Sequence, residues 1–170
     1  MAEDALARAS TLLARLAALG HTLGTAESLT GGLLCARLID VPGASTVVRG
    51  GLVSYATEVK ADLLGVPSDL LASRGAVDPQ VALAMTQGAA RILRCDWALA
   101  TTGVAGPDPV DSAPVGTVYV AVRWPGGQRV RHTVLPGDRA AVRAGAVSEA
   151  LALALECLDD YCERRVGSAL

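Results

Sequence analysis

Trp97-Ala98-Leu99-Ala100-Thr101-Thr102 is the stretch on which the fold turns. It is short, nearly all apolar and lacks the alternation of a half-exposed strand, which marks a strand buried on both faces. Such a strand belongs in the middle of a sheet with helices on two sides. The glycine-rich loop Gly103-Val104-Ala105-Gly106-Pro107-Asp108 follows it. Upstream, Asp78-Pro79 opens a helix that reaches about Leu93, with Asp78 as N-cap and Pro79 at the first helical position. Farther out, Ala5 to Leu19 has helical spacing and stops at Gly20, and His21 to Thr25 reads as a short strand. Leu33 to Leu38 is a second helix, Thr46 to Tyr55 a second strand, and Thr57 to Leu64 a helix ended by Gly65. Downstream, Gly116 to Val122 and Arg129 to Leu135 form a hairpin around Pro125-Gly126-Gly127. A last helix runs from about Asp138 to Cys162, with a frayed tail after Arg165. Interleaved helices and strands followed by two sequential strands predict an α/β fold. The expected form is a three-layer α/β/α sandwich with a mixed sheet of about five to six strands, residues 1–170 making one domain.

Bulk composition narrows the function. Net charge is −2, with three Tyr and two Trp, so the chain lacks the basic footprint and stacking aromatics of a nucleic-acid binder. No apolar run is long enough to span a bilayer, and Met1-Ala2-Glu3-Asp4 is acidic, unlike a signal peptide. The four cysteines, at 35, 95, 157 and 162, have neither metal-ligand spacing nor nearby histidines. They are expected to be reduced thiols of a cytoplasmic protein with no metal and no cofactor. Apolar content and Ala/Leu-rich helices suggest a homodimer or higher homo-oligomer, though such helices also pack within one subunit.

The chemistry concentrates in Thr25-Ala26-Glu27-Ser28-Leu29-Thr30-Gly31-Gly32. A hydroxyl and a glycine pair at a strand-to-helix junction suit either an activated nucleophile or an anion site. The alternative is a helix capped by Ser28 or Thr30. His21 and His132 are the only histidines, and neither is placed to serve Ser28 as a base. Lys60 is the only Lys among 15 basic residues. A buried Lys can lose its proton near neutral pH, which Arg cannot; a surface position is the alternative. Tyr55 closes the second strand and can face the same cleft as Lys60. Thr102 and Gly103 leave the central strand where α/β sheets place ligands. Arg139 follows the cap Asp138 and can clamp a phosphate or carboxylate, or lie in solvent.

Taken in order, six segments resemble the C-terminal domain family of the CinA proteins, which includes stand-alone nicotinamide-nucleotide amidohydrolases (PncC type). They are Ala26 to Gly32, Gly51 to Lys60, Gly75-Ala76-Val77, Thr102 to Pro107, Pro114 to Val118 and Gly137-Asp138-Arg139. The resemblance implies hydrolysis of the carboxamide of nicotinamide mononucleotide (NMN) to nicotinate mononucleotide and ammonia. It also implies Ser28 as the catalytic nucleophile, Lys60 as its base, Tyr55 beside it as a third catalytic residue that relays or polarises the proton, and Thr102 and Arg139 at the site. Amide groups from Thr30, Gly31 and Gly32, or beside Thr102, would hold the oxyanion. Relatives commonly continue with two glycines where this chain has Pro109-Val110, which bears on affinity or specificity. The competing expectations are an amidase acting on another amide and a non-catalytic interaction domain with competence or DNA-damage partners.

Overall fold

The structure is a computed structural model that describes residues 2–110 and 112–167. Its order is α1 (Ala2–Leu19), β1 (Leu23–Glu27), α2 (Leu33–Ile39), β2 (Val48–Val53), α3 (Thr57–Asp62), α4 (Ser68–Arg74), α5 (Pro79–Leu93), β3 (Trp97–Gly103), β4 (Thr117–Trp124), β5 (Gly127–Val134) and α6 (Arg139–Gly167). The five strands form one mixed sheet in the order β2-β1-β3-β4-β5. β1 runs parallel to β2 and β3, while β4 is antiparallel to both β3 and β5. The architecture is the expected three-layer α/β/α sandwich.

Each layer follows from where apolar side chains fall. Trp97, Leu99, Val118, Val120 and Val122 face α1, α2 and α6, while Ala98, Ala100 and Ala121 face α5. On α6, Val142, Ala146, Ala150, Ala154 and Cys157 recur at helical spacing and are buried. Alanines on the α5 side let that helix lie close, and Gly88 extends the fit. A Cβ there would sit 2.2 Å from the Leu64 carbonyl oxygen, so only glycine is accommodated. The N-cap of α5 is as expected: Asp78 accepts from the Gln80 N–H at 2.7 Å, with Pro79 opening the helix.

Three boundaries differ in ways that matter for the site. β1 begins two residues later than expected, because Thr22 is tied to the Asp96 carboxylate through both its N–H and its hydroxyl. β1 also ends two residues later than expected, at Glu27, which pairs with Val53 and Thr101. β2 is shorter at both ends. Ala44–Thr46 makes one 3₁₀ turn, and Ser54 and Tyr55 leave the ladder. α4 has no counterpart in the sequence analysis, since seven residues are too few to display a period. α6 continues to Gly167, five residues past the expected end, so the tail expected to fray after Arg165 is helical at 166–167, and its remainder, 168–170, lies outside the described residues. His21 sits just before β1, where its Nδ1 accepts from the Trp97 indole N–H at 3.0 Å, while His132 on β5 stacks on Tyr119.

Candidate active site

The parallel strands β1, β2 and β3 all end at one edge of the sheet, and the candidate residues leave from those ends. Ser28 follows β1 directly; its N–H donates to the Thr101 carbonyl at 2.9 Å, and the Ser54 N–H donates to the Glu27 carbonyl at 2.9 Å. Two flanking strands thereby fix the Glu27–Ser28 peptide from both of its edges. The chain then reverses over Gly31 and Gly32, whose φ values of +58° and +97° favour glycine.

Lys60 reaches this point from α3. Its side chain is 1% exposed, and its Nζ donates to Ser28 Oγ at 3.1 Å, to the Ser54 carbonyl at 2.8 Å and to the Tyr55 carbonyl at 3.2 Å. β2 ends early enough to turn those two carbonyls toward the amine. Burial pushes the Lys60 amine down to about 8, with a small opposing pull from Glu58. The surface alternative for Lys60 is therefore overturned: a base candidate stands within hydrogen-bond reach of a buried hydroxyl.

A cavity of about 230 Å³ opens in front of this pair. Ser28, Tyr55, Lys60, Thr102, Gly103 and Arg139 all line it, so the structure brings six of the nine expected site residues together. Thr102 Oγ1 donates to the Ala76 carbonyl at 2.7 Å, anchoring the segment that forms one wall. Gly103 has no room for a side chain, since a Cβ would lie 2.4 Å from the Thr117 carbonyl oxygen. Arg139 spans the mouth, donating to the Gly106 carbonyl at 2.7 Å and to the Tyr55 hydroxyl at 2.8 Å. Tyr55 thus serves Lys60 through its backbone and Arg139 through its phenol, and its side chain is 60% exposed. Val110 also lines the cavity, which places the Pro109-Val110 departure at its rim. A wider groove of about 710 Å³ over α4 and α5 holds no nucleophile–base pair among the described residues.

The turn from Thr30 to Gly32 lies elsewhere than expected. Those three residues do not line the cavity, and the anion that Thr30 and Gly32 hold is the chain's own Glu27 carboxylate. Glu27 is fully buried and accepts from the hydroxyls of Thr25 and Thr30 and from the N–H groups of Gly32, Leu34 and Cys35, at 2.7 to 3.0 Å. The donors at the start of α2 are thereby spent internally. Thr30 Oγ1 also meets Thr101 Oγ1 at 2.7 Å, tying the turn to the central strand. On the far side, Arg143 of α6 donates to the carbonyls of Leu29 at 2.9 Å and Thr30 at 2.8 Å. Sequence reasoning assigned no role to Glu27 or Arg143. An acid ending a buried strand before a glycine pair was a usable sign for the first; nothing local marked the second.

Residues 6–158 match the CinA C-terminal domain. The chain belongs to the CinA C-terminal domain family. It is 54% identical over 132 residues to a CinA-like protein of Frankia casuarinae, covering 78% of this chain and 30% of that protein. A CinA-like protein of Geobacter sulfurreducens is 48% identical over 151 residues, 88% of this chain and 35% of its own length. The chain thus spans about a third of the length of these curated relatives. Among solved structures, a competence-damaged protein (CinA) superfamily member from Klebsiella pneumoniae superimposes with TM-score 0.89 at 32% identity, covering 92% of this chain and 98% of the other. The competence/damage inducible protein CihA from Agrobacterium tumefaciens gives 0.87 at 35% identity, over 92% and 96%.

Proposed function

We propose that this CinA-family domain is an amidohydrolase that deamidates NMN by a Ser–Lys mechanism. The observation that carries the proposal is the 3.1 Å approach of a desolvated Lys60 amine to Ser28 Oγ in front of a cavity. An unassisted serine is a weak nucleophile, and a neutral amine at this distance is the base it needs. Neutral Lys60 takes the Ser28 proton as Oγ attacks the carboxamide carbon, giving a tetrahedral oxyanion. The Lys60 ammonium then protonates the amide nitrogen, the C–N bond breaks and ammonia leaves. Lys60 next takes a proton from water, whose oxygen attacks the acyl-enzyme ester. The ester bond to Ser28 breaks, Oγ regains its proton from Lys60, and the nicotinic acid group gives its remaining proton to the released ammonia and leaves as the carboxylate.

Cavity size supports a substrate that enters by one end. A volume of 230 Å³ is below the roughly 300–1,000 Å³ that encloses a whole drug-sized ligand. The carboxamide ring fills it, and the ribose phosphate extends past the rim to Arg139, whose fork suits a phosphate. Ser28→Ala and Lys60→Ala should each abolish ammonia release from NMN, measured by a coupled assay. Near-normal turnover by either variant refutes the mechanism. If wild-type protein leaves NMN untouched while an acylating probe modifies Ser28, the substrate is another amide. If neither reaction occurs, the domain is a non-catalytic interaction module.

A further inference from the structure

Acyl transfer of the kind proposed above requires donors aimed at the developing oxyanion. Gly31 and Gly32 cannot supply them: the Gly31 N–H donates to the Ser28 carbonyl at 3.1 Å, and the Gly32 N–H donates to Glu27. The two N–H groups immediately after the nucleophile, on Leu29 and Thr30, have no acceptor among the described residues. They occupy the centre of the turn that Ser28 and Gly31 close.

Their direction is set by the carbonyls they share peptide units with. In a planar trans peptide the N–H points opposite the C=O. The Leu29 N–H is paired in this way with the Ser28 carbonyl, which is held by Gly31. The Thr30 N–H is paired with the Leu29 carbonyl, which is held by Arg143 Nε. Arg143 Nη2 holds the next carbonyl, that of Thr30, and so keeps the turn from rotating as a unit. Both free N–H groups are consequently aimed away from the carbonyls that hold the turn; Leu29 lines the cavity beside Ser28, whereas Thr30 is fully buried and does not. Among the described residues Arg143 makes no ion pair with a carboxylate. Its charge is spent on two main-chain carbonyls. A planar guanidinium can grip two carbonyls at once where an ammonium would grip one. Its charge polarises the Leu29–Thr30 and Thr30–Gly31 peptide units, and the Gly31 N–H so strengthened donates to the Ser28 carbonyl, whose peptide unit carries the Leu29 N–H.

We infer that Arg143 is a positioning residue that holds the Ser28–Gly31 turn so that the Leu29 N–H serves as an oxyanion donor of this site. The inference rests on the acyl-transfer function proposed above. It adds to that function a residue that touches no substrate.

The test compares wild type, Arg143→Met, Arg143→Lys and Arg143→Ala by NMN deamidation, by the rate of Ser28 labelling with a fluorophosphonate, and by thermal unfolding. Losing one oxyanion donor costs about 10²–10³ in rate, so misaiming one without removing it is expected to lower kcat by about 30- to 100-fold in Arg143→Met. KM should stay within about threefold of wild type. Arg143→Lys should fall between the two, and added methylguanidine should restore part of the activity of Arg143→Ala. The inference is overturned if KM rises with kcat unchanged, which would make Arg143 a substrate contact. It is also overturned if lost activity only tracks the unfolded fraction and methylguanidine restores none. Should wild type ignore NMN yet react with the fluorophosphonate, the substrate assignment fails alone. The same 30- to 100-fold ratio is then expected in labelling rate, and equal rates would overturn the role of Arg143. A wild type inert to both removes the acyl-transfer function and this inference together.

Discussion

Replacing Glu27 with glutamine should cost the protein about 3 kcal/mol of stability, a figure that can be worked from five hydrogen bonds. Oε1 accepts from Thr25 Oγ1 at 3.0 Å and the Cys35 N–H at 2.8 Å; Oε2 accepts from Thr30 Oγ1 at 2.7 Å and the N–H groups of Gly32 and Leu34 at 2.9 and 3.0 Å. Glutamine keeps one acceptor oxygen and turns the other into a donor. Its least costly placement puts the amide nitrogen on the Oε1 side, where the Thr25 hydroxyl can turn to accept but the Cys35 N–H cannot. Stranding one buried N–H costs about 1–3 kcal/mol, and reducing three charge-assisted bonds to neutral ones costs about 1 kcal/mol each. Relief of the carboxylate's own desolvation offsets part of that total, leaving about 3 kcal/mol. For a chain of this size the loss should lower Tm by about 6–12 °C. Urea unfolding followed by Trp fluorescence measures it, since Trp97 and Trp124 are both buried and stacked on each other. A Glu27→Gln change below about 1 kcal/mol would mean the start of α2 does not depend on the internal carboxylate, and the reasoning would fail.

Three further outcomes are expected. Lys60 titrates at about 8 in the folded protein against 10.5 in the unfolded chain. Between those values the unfolded chain binds a proton that the native state does not, so stability should rise with pH across that window. Over the limb below about 8, where the base is protonated, kcat/KM should climb tenfold per pH unit and then level off; a flat profile from pH 6.5 to 9 would refute Lys60 as base. Tyr55→Phe removes only the phenol that Arg139 holds, while Lys60 keeps its bond to the Tyr55 carbonyl. It should raise KM for NMN several-fold with kcat within about threefold, and a hundredfold fall in kcat at constant KM would place the phenol in proton transfer instead.

The central strand was legible because burial on both faces leaves an unbroken apolar run, and the order of elements around it followed. Asp78-Pro79 announced α5 because capping is a local act, visible in adjacent residues. The Ser28 turn was visible for the same reason, as a hydroxyl and two glycines at a junction. What those glycines hold was not. Five donors converging on Glu27 come from both sides of the turn and from the first turn of α2, an arrangement that exists only once the chain has folded back. Lys60 stood out by its rarity, but its burial depends on β2 ending at Val53, which alternation through Tyr55 obscured. Arg143 was hidden most completely, for its partners lie 113 and 114 residues upstream and are carbonyls, which carry no residue-specific sign.

That long reach has a consequence for how the protein comes into being. Ser28 and its strand are synthesised early, yet the guanidinium groups of Arg139 and Arg143 belong to the last helix. Contacts across so great a separation must close a long loop before they contribute anything, and they form late. A nascent or partly folded chain therefore carries its serine without the grip that shapes the turn or the bridge that spans the mouth. On the mechanism proposed above, docking of the final helix is an arming step: Ser28 would become competent only after the structure that surrounds it is complete.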